Sequence, residues 1–184
     1  HGEPQEVMLQ LPGRRLFAYV WLVRVGRIRL YLLDADTPRN TDEDRHITAR
    51  LYEADRDVRL RQEILLGMGG VRMLRRMGIR PAAYHMNEGH SAFLILERIR
   101  DLMLRDGLGL GEACEVVRGS NVFTTHTPVD AGNERFSQER MENHFKAFVQ
   151  SVGISWQDFL RIGRYAHSER NTFEMTVLAL NFSY

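Results

Sequence analysis

Residues 81–92, Pro-Ala-Ala-Tyr-His-Met-Asn-Glu-Gly-His-Ser-Ala, constrain what this chain can fold into more than any other stretch. A short apolar run rises into His85, Asn87, Glu88 and His90, and Phe93, Leu96, Ile99 and Met103 then recur at the spacing of one helix face. A strand that feeds a helix in this way carries its polar residues at its carboxyl end. In open α/β sheets ligands bind at that end, because the loops there line a crevice and helix N-termini point into it. Asn87, Glu88 and His90 are therefore the first candidates for a site.

The rest of the chain supports an α/β protein. Residues 6–33 alternate as strands: Val7, Leu9 and Leu11, then Phe17, Tyr19 and Trp21, then Ile28, Leu30 and Leu32 after a break at Gly26. The polar stretch 34–38 reads equally as a turn built from Asp and Pro or as a functional loop. Thr41 and the acids after it resemble a capped helix start, and residues 41–57 read as a solvated helix and loop. Leu60, Ile64, Met68, Val71 and Leu74 mark a helix over 59–77 that contains Gly67, Gly69 and Gly70. Each glycine costs a helix about 0.8–1 kcal/mol relative to alanine, so close packing of the helix backbone is expected there. A phosphate loop is not, for the segment has neither G-x-G-x-x-G nor a G-K-[ST] ending.

Residues 111–118 form another amphipathic helix, with Ala113, Val116 and Val117 expected to face inward. A β-branched strand then ends at Thr125-His126. This β-α-α-β order calls for a parallel sheet covered by helices, which would set His126 beside the Glu88/His90 loop if the two strands are neighbours. A turn-rich loop over 127–137 follows. A helix over 138–152 carries Met141, Phe145, Phe148 and Val152, Ser155 starts a short helix, and 172–182 reads as a buried helix. The chain begins without methionine and stops just after this apolar run, so a processed chain or a piece of a longer one is expected.

With 184 residues, 43% hydrophobic and 27% charged, the chain has the make-up of one globular domain or part of one. No apolar run approaches the roughly 18–20 residues of a membrane span, and the N-terminus lacks a signal-peptide pattern. A formal charge of +1 gives no global attraction to nucleic acid or anionic membrane. The single cysteine, Cys114, excludes an internal disulfide framework and is read as a small buried hydrophobe. A cytoplasmic location is expected. Of the 25 basic residues only Lys146 is lysine, so any Schiff-base chemistry must use it or come from elsewhere.

His85, Glu88 and His90 do not have the spacing of a helical zinc motif, so no metal site is expected, and no G-x-S-x-G elbow supports a serine hydrolase. A polar cluster of Asn, Glu and His suits a sugar, whose hydroxyls are oriented by preorganised donors and acceptors. On residue chemistry alone, Glu88 as a helix-capping acid and His90 as a core histidine remain an equal alternative.

The segments His85-Met-Asn-Glu-Gly-His-Ser-Ala-Phe93, Val122-Phe-Thr-Thr-His-Thr-Pro128 and Ala131-Gly-Asn-Glu-Arg-Phe136 together closely resemble the α-glucan (glycogen, starch and maltodextrin) phosphorylases. Leu30-Tyr-Leu-Leu-Asp-Ala-Asp36 and Arg59-Leu-Arg-Gln-Glu-Ile-Leu-Leu-Gly67 extend the match, in the family's order, over roughly residues 21–182. The resemblance implies a Rossmann-like parallel sheet with flanking helices, part of the N-terminal domain of a GT-B type glycosyltransferase. Residues 1–36 would be its strand-rich portion and 37–184 its α/β portion.

It implies phosphorolysis of an α-1,4-glucan by orthophosphate to glucose 1-phosphate, with pyridoxal phosphate as cofactor of the full-length enzyme. His126 takes the catalytic position, its backbone carbonyl receiving the glucose 6-hydroxyl at the cleaved bond. Asn87, Glu88, His90 and Thr125 line the sugar site, and Asp55 matches an acid on the loop that gates the cleft. Asp130 departs from the family, many members of which have proline there. The phosphate-facing glycine-rich loop and the cofactor lysine of the C-terminal domain match nothing here. The resemblance therefore implies that this chain binds no pyridoxal phosphate covalently and is inactive by itself. It implies no nucleic-acid or membrane partner, and it admits a homodimer of the full enzyme. Three readings compete: a nucleotide-sugar-dependent glucan synthase of the same fold, a non-catalytic glucan-binding or regulatory module, and a truncated chain whose sugar site is not formed because its opposite wall is missing.

Overall fold

The computed structural model describes residues 4–51, 53–127, 133–164 and 172–184. The alternation near the N-terminus folds as an antiparallel meander of β1 (Glu6–Leu11), β2 (Arg14–Val25) and β3 (Ile28–Asp34). Gly13 and Gly26 turn the chain with φ of +69° and +59°, a backbone region that glycine enters without strain. Val7, Leu9, Leu11, Leu16 and Ala18 are buried on one face of this sheet. Beyond Val20 the two longer strands continue as a ribbon. Its cross-strand pairs Trp21–Leu32, Val23–Leu30 and Val25–Ile28 are all exposed.

The charge-dense stretch after β3 is not simply solvated, as its composition suggests. Thr41 does cap α1 (Asp42–Arg45), accepting from the Asp44 N–H at 3.3 Å. Asp44 and Ile47, however, are buried, and Asp44 binds Arg14 at 2.5 Å and Arg61 at 2.9 Å. Charge in the sequence does not reveal burial when the partner lies thirty residues upstream.

Helix α2 (Arg56–Ile64) runs through a π-helical turn, Leu65–Gly69, into α3 (Gly70–Arg76). The glycines differ in role. A Cβ on Gly67 would lie 2.7 Å from the Leu94 nitrogen and 2.9 Å from the Phe93 carbonyl carbon, so here two backbones touch. Gly69 sits beneath Leu65, Leu33 and Leu9, whereas a Cβ on Gly70 would meet open space.

Strand β4 (Tyr84–Asn87) leads through a 3₁₀ turn, Gly89–Ser91, into α4 (Leu94–Asp106), α5 (Leu110–Arg118) and β5 (Asn121–Thr124). Strands β4 and β5 pair in parallel, with Asn87 opposite Thr124, as the β-α-α-β order requires. Val117 and Ala113 face inward on α5, but Val116 is exposed.

Strand β6 (Arg135–Ser137), α6 (Gln138–Val152) and α7 (Trp156–Ile162) follow. The last apolar stretch is not one helix: it divides into β7 (Thr172–Glu174), antiparallel to β6, and α8 (Met175–Asn181). On α6 the buried stripe is Met141, Phe145, Val149 and Val152, with Phe148 only partly covered. Aromatic contacts join these parts, Phe93 to Phe145 at 4.9 Å, Phe145 to Phe159 at 5.3 Å and Phe159 to Phe173 at 5.4 Å between ring centroids. The described residues thus form an α/β protein with a small two-stranded parallel sheet and helices. Among them, no helix is long and apolar enough to cross a membrane.

Candidate functional site at the ends of the parallel strands

Parallel pairing brings the carboxyl ends of β4 and β5 side by side. The Glu88 N–H donates to the Thr124 carbonyl at 2.8 Å and carries the ladder one residue past the strand. At Glu88 the backbone turns sharply, with φ +61° and ψ 175°. Its carboxylate accepts from the His126 N–H at 2.5 Å, the Thr125 hydroxyl at 3.1 Å and the Thr127 hydroxyl at 3.2 Å. The His126 N–H foremost, with the two hydroxyls, holds the Glu88 carboxyl below the usual glutamate range, against the smaller effect of burial. Asn87 Oδ1 lies 3.0 Å from His126 Nε2, and His85 Nε2 lies 2.8 Å from the Thr124 hydroxyl. A Cβ on Gly89 would lie 3.1 Å from that of Met175, which seats the 3₁₀ turn against the start of α8.

The structure divides the residues singled out in the sequence. Asn87, Glu88, Thr125 and His126 form one cluster, and Glu88 faces its own protein's loop. His90 turns towards α2, where Nδ1 lies 2.7 Å from an Arg59 nitrogen and 3.7 Å from Glu63. Arg59 in turn pairs with Glu63 at 3.1 Å and with Glu134 at 3.3 Å. Burial raises the carboxyl of Glu63. His90, Arg59 and Glu63 line a cavity of about 600 Å³ with Tyr31, Leu33 and Ile47. The signal for Arg59 and Glu63 was present in the sequence, a base and an acid four residues apart on one helix. Asp55 caps α2, its carboxylate accepting from the N–H groups of Val58 at 3.0 Å and Asp57 at 2.7 Å, which lower its pKa. Asp130 lies outside the described residues. Among those described, no group of three or more His, Cys, Asp or Glu is arranged to hold a metal ion. Cys114 is half-buried, and burial raises its thiol.

No protein-family model matches the chain. The maltodextrin phosphorylase of Thermococcus litoralis is 44% identical over 182 residues, which cover 99% of this chain and 21% of that protein. This chain is homologous to a segment of the α-glucan phosphorylases. The glycogen phosphorylase of Mycobacterium tuberculosis is 45% identical over 150 residues, 78% of this chain and 17% of its own length. That of Aquifex aeolicus is 37% identical over 170 residues, 92% of this chain and 24% of its own. The chain thus spans about a fifth of the length of these relatives.

The phosphorylase resemblance implies pyridoxal phosphate, and the described residues do not fit it. Lys146, the single lysine, is 66% exposed on α6 with Nζ 4.0 Å from Glu142. It belongs to neither the strand-end cluster nor the cavity beside His90. A cofactor aldehyde would find neither a sheltered amine nor a lining there.

Proposed function

We propose that this chain forms part of the sugar-facing wall in the cleft of an α-1,4-glucan phosphorylase of the GT-B type. The observation that carries the reading is the convergence of Asn87, Thr125 and His126 at the carboxyl ends of two parallel strands, on a loop held by Glu88. Such an end is where α/β sheets bind ligands. Amide, hydroxyl and backbone carbonyl groups can orient sugar hydroxyls without charge, and orientation lowers the barrier by supplying the entropy of alignment beforehand. In this reading the His126 carbonyl receives the 6-hydroxyl of the glucose at the scissile bond. Asn87 and Thr125 present polar side chains to the same ring. Pyridoxal phosphate and the groups that bind orthophosphate would reside in other parts of the polypeptide, and this chain contributes recognition and alignment.

Amide chemical shifts of the chain during a maltoheptaose titration test the proposal. The expected perturbations centre on residues 87–88 and 124–127, and no glucose 1-phosphate forms when orthophosphate is added. Perturbations confined to other residues would overturn the placement of the sugar. Glucosyl transfer that depends on a nucleoside diphosphate glucose and ignores orthophosphate would overturn the phosphorylase reading in favour of a synthase.

A further inference from the structure

We propose that Glu88 is a positioning residue: its carboxylate locks residues 125–127 so that the His126 backbone meets the sugar, and it is not itself a sugar ligand. The inference rests on the proposed function for the identity of the ligand, and on the following geometry for the role.

Among the described residues, Glu88 is the one non-glycine with positive φ. Its φ of +61° and ψ of 175° fall in a region that essentially glycine alone enters freely. Holding any other residue there strains the backbone. Glycine would relieve that strain, and what glycine lacks is the carboxylate. The carboxylate gathers three donors from three consecutive residues of the other strand's loop, Thr125, His126 and Thr127. The Glu88 N–H grips Thr124 directly before them. One residue of β4's end thus holds four consecutive residues beyond or at the end of β5. The hold on the His126 N–H and the hold on the Thr127 hydroxyl bracket the His126 carbonyl in sequence. An ionised carboxylate has about four acceptor positions and no donor, so three are already engaged. A glutamine can reproduce this arrangement, its oxygen accepting from the His126 N–H and its NH₂ donating to the Thr125 hydroxyl, whereas a leucine of similar size offers no acceptor.

The hold belongs to the ionised form. Because the donors depress the Glu88 pKa, the clasp persists at and somewhat below the ordinary glutamate range and is lost as pH falls through the depressed value.

The test uses this chain with Glu88→Leu and Glu88→Gly, reading hydrogen exchange at the His126 amide, maltoheptaose affinity from pH 3 to 7, and Tm. In the unsubstituted chain the His126 amide is protected. Both variants are expected to lose that protection and about tenfold in affinity, the scale of lost preorganisation. Glu88→Gly does so without lowering Tm, since it relieves backbone strain. The affinity of the unsubstituted chain falls in acid, whereas that of Glu88→Leu does not. Retained protection at His126 in Glu88→Leu overturns the inference. So does lost protection with unchanged affinity, which makes the clasp purely structural, and so does lost affinity with protection intact, which makes the carboxylate a direct ligand. Failure of the unsubstituted chain to bind maltoheptaose overturns the proposed function and this inference together. Binding with any of the preceding three results overturns the inference alone.

Discussion

Two glutamates near the start of the same helix are held in opposite ways. Glu97 is fully buried on α4. Arg72 grips both its oxygens, at 2.7 and 2.8 Å, Arg100 approaches to 2.9 Å and Arg75 to 3.5 Å. Arg72 also donates to the Met8 carbonyl at 2.8 Å, so this acid ties α3 and α4 to β1. Glu88 sits at the protein's edge and is held by a backbone N–H and two hydroxyls. When Glu97 is removed, Arg72 loses its acid in a partly dry space, while Arg75 and Arg100 are left with Asp101. When Glu88 is removed, neutral donors turn to water. The first acid maintains the fold and the second shapes a loop, although both have several donors.

The largest test of this contrast is Glu97→Gln. Breaking a buried ion pair by removing one partner costs about 3–5 kcal/mol, and the partial exposure of the arginines here favours the lower end. Urea unfolding at pH 7 is expected to show a loss of about 3 kcal/mol, with Tm lower by on the order of 10 °C. A loss under about 1 kcal/mol would show that the arginines are satisfied without Glu97, and the contrast would fail.

Next in size are two glycines in the helix that packs on the start of α4. Gly67→Ala places a methyl group against the Phe93–Leu94 backbone, which has no side-chain freedom to yield. A loss of about 1–3 kcal/mol is expected, from overpacking less the gain in helix propensity. Gly70→Ala enters open space at helical φ and is expected to stabilise the chain by about 0.5–1 kcal/mol. Equal signs for the two, measured by the same unfolding curves, would mean that the close approach at Gly67 relaxes without cost. The interior at α4 would then be less rigid than the contacts of Glu97 require.

How much of this was legible in sequence follows the range of the interactions. The strand running into a helix at residues 84–94 was legible because an apolar run, a polar end and a helical stripe are all local patterns. The pairing of β4 with β5, and so the meeting of Glu88 with Thr125 and His126, followed from the order of elements alone. Local signals did not show that His90 leaves the cluster. That depends on the 3₁₀ turn, which Gly89 sets against Met175, a residue far along the chain. Nor did they show that residues 172–174 pair with β6 before the last helix begins, or that Asp44 is buried between Arg14 and Arg61. Each of these is decided by a partner beyond the reach of periodicity.

The smallest expected effect is the stability of Glu88→Gln, and it completes the contrast with Glu97. The glutamine can keep the contact to the His126 N–H and water can reach the loop, so this substitution at a partly exposed position changes stability by no more than about 0.5 kcal/mol at pH 7. The pH dependence gives the direction. A carboxylate whose folded pKa is depressed contributes stability above its unfolded value, near 4.3 for glutamate, and loses it as pH falls through the folded value. The small gap between unsubstituted and Glu88→Gln chains in urea at pH 7 is therefore expected to close in acid. A cost for Glu88→Gln equal to that of Glu97→Gln would make both acids keystones of the fold, and the division of labour between them would not hold. A negligible cost, set beside lost protection at the His126 amide in Glu88→Leu, would mean that the chain spends backbone strain at Glu88 on the shape of its site and not on its stability.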